Sequence, residues 1–94
     1  MGFEWDETKD AANRRKHGIA FREAAEIFRG YVLVIEDTRL DYGERRFVAL
    51  GEYDGELIRL VFTETDRNIR IISAWKANRN DRKNYEKARA DRQV

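Results

Sequence analysis

RFVALGEYDGELIRLVFTETDRNIRIISAW, residues 46–75, decides the fold. It holds three short apolar runs: RFVALG (46–51), ELIRLVFT (56–63) and NIRIISAW (68–75). Each is rich in Val, Ile, Leu and Phe and is long enough for one strand. Asp54-Gly55 joins the first two, and a two-residue Asp-Gly link is a strong hairpin signal because the tight turn needs positive φ. Asp66-Arg67 joins the second run to the third. The spacing predicts an antiparallel meander.

Toward the N-terminus, YVLVI (31–35) follows Gly30 and reads as another strand, with polar, turn-like residues 37–44 after it. FEW (3–5) reads as a further short strand. Two helices are expected between them. Asp6 can cap one over 7–17, its carboxylate accepting from free first-turn amides. Arg14, Arg15 and Lys16 then complement its negative end, and Gly18 suits the left-handed C′ position. Phe21, Ala24, Ala25 and Phe28 recur at helical spacing and predict a second helix over 21–29, ended by Gly30. At the other end, residues 79–92 form a basic helix, with Asn78 as cap and Asp81 at N3. The expected fold is α+β: a three- to four-stranded antiparallel sheet with two N-terminal helices and a C-terminal basic helix. Such segregated elements place the helices on one sheet face and leave the other free for water or a ligand.

A length of 94 residues supports a single domain over 1–94, with a small core. Eleven aromatics argue for real packing despite a charged fraction of 39%. The absence of cysteine excludes thiol catalysis and a disulfide framework, and removes the thiolates that a zinc site usually uses. A single histidine, His17, excludes a His-pair metal site. No metal or cofactor is expected. No apolar run reaches the roughly 18–20 residues of a membrane span, and the acidic N-terminus lacks a leader pattern. A soluble, cytoplasmic domain is the expectation.

The near-neutral total of +1 hides an uneven distribution. Residues 1–30 balance six basic against six acidic groups, residues 31–66 carry four against nine, and residues 67–94 carry nine against three. The basic third is Arg67, Arg70, Lys76, Arg79, Arg82, Lys83, Lys87, Arg89 and Arg92, interleaved with Trp75 and Tyr85. Cations neutralise phosphates and aromatic faces stack on unpaired bases, so the pattern suits RNA. A solvated helix face is the plainer alternative. Arg70 fits that alternative least, because it lies inside an apolar strand and points to a functional sheet face or to an internal ion pair.

Other candidates each carry a bland reading. His17 suits general acid–base work near neutral pH, or simply caps a helix end. Glu64, at a strand end, is a base, a group orienting Arg70, or a turn residue. Ser73 has no triad partners and reads as a strand-face hydroxyl. DTRLDYGE (37–44) offers carboxylates but lacks the glycine position and final glutamate of a calcium loop.

Four segments carry a family resemblance. FEWDETK (3–9), NRRKHGIAFREAAEIF (13–28), DYGERRFVALG (41–51) and TETDRNIRIISAWKANRNDRKNYE (63–86) resemble, in order, the signature segments of the BrnT family of toxins. The resemblance implies a RelE-like fold and a ribonuclease that inhibits translation within a type II toxin–antitoxin system. It also implies a BrnA-type antitoxin with a ribbon-helix-helix DNA-binding part, two toxins with two antitoxins, and repression of their own operator DNA. It places weight on His17, Gly18, Glu64, Arg70, Ser73, Lys76, Arg79 and Tyr85. Trp75 stands where many relatives have a basic residue, so one cation is exchanged for a stacking surface.

The expected chemistry is metal-independent cleavage by the RNA's own 2′-hydroxyl. Arg70 and Arg79 are expected as phosphate clamps, Lys76 as cation or proton donor, Glu64 as base or Arg-orienting group, and His17 as acid or base. Trp75 and Tyr85 are expected to hold bases, with Arg82 and Lys83 as further RNA contacts. The competing function is a non-catalytic module that binds nucleic acid or a protein partner through the same basic segment.

Overall fold

The computed structural model describes residues 2–39, 41 and 43–92. Tyr42, part of the DYGERR segment, lies outside them. The elements run β1 (Gly2–Glu4), α1 (Glu7–His17), α2 (Phe21–Ala24, continuing as a 3-10 helix over Ala25–Arg29), β2 (Val32–Asp37), β3 (Arg46–Tyr53), β4 (Glu56–Glu64), β5 (Asn68–Lys76) and α3 (Arg79–Arg92).

Local chemistry explains the boundaries. Asp6 accepts from the amides of Thr8 and Lys9 at 2.8 and 3.1 Å, and Gly18 takes the left-handed conformation at φ 72°. The hairpin between β3 and β4 turns on Asp54 and Gly55, both at positive φ. The expected second helix tightens after one turn. Phe21, Ala24 and Ile27 are all buried, and a period of three is the period of 3-10 winding.

The sheet corrects the expected topology. It has five strands in the order β1-β5-β4-β3-β2, and it is mixed, because β1 pairs parallel with β5. The chain leaves β1 through α1 and α2 and returns to β5 from the far side of the sheet, which fixes the parallel sense. The remaining pairs are antiparallel, with a bulge between Val61 and Phe62.

The helices also occupy both faces rather than one. Under α1 and α2 lies the main core, including Phe21, Ile27, Ala49, Leu60, Phe62, Ile71 and Ala74. Under α3 lies a smaller cluster of Val48, Leu50, Leu57 and Tyr85. Strand alternation makes this possible, since successive residues of β3 and β4 serve opposite faces. Gly51 belongs to the first face, where a Cβ would come within 2.8 Å of Ile27. Among the described residues no helix is long and apolar enough to cross a membrane.

Candidate active site

The buried side chain of Asn13 assembles the site. Its amide Nδ2 donates to the carbonyls of Ile19 and Ala74 at 3.0 and 2.8 Å, and its Oδ1 accepts from the Ala74 amide at 3.2 Å. Asn13 therefore stands in for a neighbouring strand along the part of β5 that short β1 leaves unpaired. Asp10, one turn earlier, accepts from the Phe21 amide at 2.8 Å and ties α1 to α2. One turn later, His17 comes to rest against Trp75, with ring centroids 5.6 Å apart and planes 34° apart. The helix-end histidine and the strand-end tryptophan, remote in sequence, thus share one place.

A cavity of about 230 Å³ opens beside His17. Lys76 lines it, together with Glu23, Tyr53 and Glu56. The ammonium of Lys76 lies 3.3 Å from Glu56, which came to no notice in the sequence because it reads as a hairpin residue. His17, Trp75 and Lys76 are accordingly brought together.

On the α3 side, Arg59 lies directly opposite Trp75 in the β4–β5 register, its guanidinium 5.9 Å from the indole centroid. Asp81 holds it at 2.7 Å. The expected capping box is present: Asp81 donates its amide to Asn78 Oδ1 at 2.8 Å, and the Asn78 amide donates to Asp81 Oδ2 at 3.2 Å. α3 therefore starts beside Trp75, and exposed Arg79, Arg82 and Lys83 lie on its first turns. The signal for Arg59 was an arginine inside the apolar run ELIRLVFT, the same signal that drew attention to Arg70.

Arg70 sits at the other end of β5, five residues away from Trp75, or roughly 16 Å at strand spacing. Its partner is Glu4 of β1 at 3.1 Å, not Glu64. Glu4 also accepts from Thr65 Oγ1 at 3.0 Å and Asn68 Nδ2 at 3.3 Å. These two hydrogen bonds, then Arg70, hold its carboxyl below the ordinary value. Glu64 pairs with Ile69 and shares a face with it, whereas Arg70 pairs with Thr63. Glu64 and Arg70 line a cavity of about 390 Å³ with Arg45 and Phe47. Ser73 pairs with Val61 on the α3 side, between the two ends.

Tyr85 is a correction. It was expected to stack on a base, but it is only 4% exposed and belongs to the core under α3. Its ring lies 5.5 Å from that of Tyr31, and its hydroxyl donates to Glu52 at 3.2 Å. Burial, then the Glu52 charge, raises its pKa. Among the described residues no three His, Asp or Glu side chains form a metal-binding group.

Residues 5–81 match the family model described as the ribonuclease toxin, BrnT, of a type II toxin–antitoxin system. The 1.1 Å crystal structure of the Brucella abortus ribonuclease toxin BrnT matches with a TM-score of 0.67 and 30% identity, covering 84% of this chain and 99% of that one. No curated protein matches the chain significantly.

Proposed function

We propose, given that the chain belongs to the BrnT family of ribonuclease toxins of type II toxin–antitoxin systems, that it cuts RNA at the end of β5 and needs no metal ion to do so. The observation that carries this reading is the contact of His17 with Trp75 beside Lys76, at the point where basic α3 begins.

The reaction uses the substrate's own 2′-hydroxyl. Its oxygen attacks the adjacent phosphorus as a base takes its proton. The bond from phosphorus to the 5′-oxygen breaks, and an acid protonates that oxygen. The products are a 2′,3′-cyclic phosphate and a 5′-hydroxyl. His17 supplies acid–base chemistry in one of these transfers. Lys76 supplies positive charge as charge develops on the phosphoryl oxygens. Trp75 offers an aromatic surface to a neighbouring base. Arg79, Arg82 and Lys83 hold flanking phosphates. Arg70, with Glu64 at the same cavity, holds the strand farther along.

Membership of the family implies an antitoxin partner. In this reading the partner is a BrnA-type ribbon-helix-helix protein, bound as two toxins with two antitoxins that together occupy operator DNA. Cleavage stops translation in the cytoplasm, and the antitoxin restores it.

Purified protein incubated with end-labelled RNA in excess EDTA tests the reaction. Fragments ending in 2′,3′-cyclic phosphate are the expected result. Cleavage abolished by the chelator defeats the metal-free mechanism, and intact RNA with salt-sensitive binding favours the non-catalytic module. Expression of the toxin alone should arrest growth, and co-expression of the neighbouring antitoxin gene should relieve it.

A further inference from the structure

Two partners on the α3 side take no part in the chemistry above: Arg59 and Asp81. Arg59 lies mid-strand in β4, where a leucine would satisfy an apolar pattern. Its side chain is 20% exposed and that of Asp81 is 7% exposed. Charges so removed from water are costly unless paired with good geometry. Here the pairing does two things. Asp81 Oδ1 accepts from Arg59, while Oδ2 accepts from the Asn78 amide at the start of α3. One carboxylate therefore fixes a guanidinium on the sheet and the first turn of the basic helix together.

We propose that Arg59 is a guanidinium that binds the scissile phosphate beside His17, and that Asp81 is its positioning residue. Position argues for it: Arg59 and His17 contact the same indole, whereas Arg70 stands at the far end of β5 in the hands of Glu4. Donor count argues for it as well. Asp81 takes one of the five N–H donors of the guanidinium, and Arg59 makes no other hydrogen bond among the described residues. The remaining fork matches two phosphoryl oxygens. A donor already fixed by packing also needs little reorganisation as charge develops.

This inference rests on the ribonuclease reading, and the test separates the two. Full-length wild type, Arg59→Lys, Arg59→Ala and Asp81→Asn are compared in single-turnover and steady-state cleavage of labelled RNA. Their affinity for 2′-O-methyl RNA of the same sequence, which lacks the nucleophile, is measured alongside. Arg59→Lys keeps the charge and loses the fork. It should bind within about threefold of wild type and cut about 100-fold more slowly. Asp81→Asn still accepts from the Asn78 amide, so the cap survives. It should lower kcat about tenfold with KM nearly unchanged, a split that simple loss of folded protein does not give. Arg59→Lys cutting at the wild-type rate would overturn the proposal. Wild type that leaves RNA intact would instead refute the ribonuclease reading. Affinity for 2′-O-methyl RNA then decides the Arg59 contact: at least a tenfold loss in folded Arg59→Ala supports it, and no loss rejects it.

Discussion

Among the described residues, the sheet face under α1 and α2 gathers ten buried residues into one apolar cluster, while the face under α3 gathers four. The difference follows from coverage. α1 lies along β5 and α2 lies over the middle strands, so the first face is closed by side chains at close spacing. α3 packs mainly on β2 and β3, meets β4 at Leu57 through Tyr85, and has its start tied to β4 by the Arg59–Asp81 pair. Strand positions beyond it carry Arg59, Ser73 and Arg70, polar residues that a closed core would not tolerate without partners. One face supplies most of the buried apolar packing, and the half-covered face leaves Arg59 beside Trp75 at the end of β5. Asn13 joins them, since the residue that docks α1 on β5 also delivers His17 to Trp75.

The largest expected effect comes from opening the closed face. Leu60 is fully buried, and Leu60→Ala should cost about 3–4 kcal/mol in urea unfolding. Below its unfolding range this variant should still cut RNA at nearly the wild-type rate. Asn13→Ala should cost about 2–3 kcal/mol, because it leaves the Ala74 amide and carbonyl unpaired. Unlike Leu60→Ala it should also slow cleavage while folded, since it frees the α1 end that carries His17. Equal cleavage by the two variants would show that the join between the faces does not matter to the site.

The α3 face responds more mildly. Tyr85→Phe removes the hydroxyl bonded to Glu52 and should cost about 1 kcal/mol at neutral pH. The folded state raises the Tyr85 pKa, so its contribution is present below the ordinary tyrosine value and fades as pH rises through the folded one. Melting curves of wild type and Tyr85→Phe should therefore converge in alkali. Glu4→Gln should have the smallest effect on unfolding. Glu4 is held below its ordinary pKa, so its advantage over Gln is present above that ordinary value and is lost as pH falls through the lowered one. A Tm difference that persists in acid would show that Glu4 acts through shape rather than charge.

Most of the fold was legible in the sequence because most of its signals are local. The Asp54-Gly55 turn, the Asp6 and Gly18 caps and the Asn78–Asp81 box each act within a few residues. What escaped was long-range. β1 is three residues long, and its parallel pairing with β5 spans 66 positions, so no nearby residue announces it. The Glu4–Arg70 pair follows from that pairing and was hidden with it. The placement of α3 opposite the other helices depends on Tyr85 meeting Tyr31, 54 positions earlier, and the helix otherwise shows a thin apolar stripe. For the site, His17, Trp75 and Lys76 were visible as residue types, but their meeting required the Asn13 bridge. Arg59 was visible only as an arginine in an apolar strand, and nothing in the sequence paired it with Asp81.

The proposed RNA-cutting site lies where the end of α1 meets the end of β5. Its most direct test is the single-turnover cleavage rate of His17→Gln against wild type, measured in EDTA at a temperature where melting curves show both fully folded. With His17 as an acid–base group, the expected result is a loss of about 100-fold or more, with affinity for 2′-O-methyl RNA nearly unchanged. A folded His17→Gln protein that cuts at the wild-type rate would contradict it.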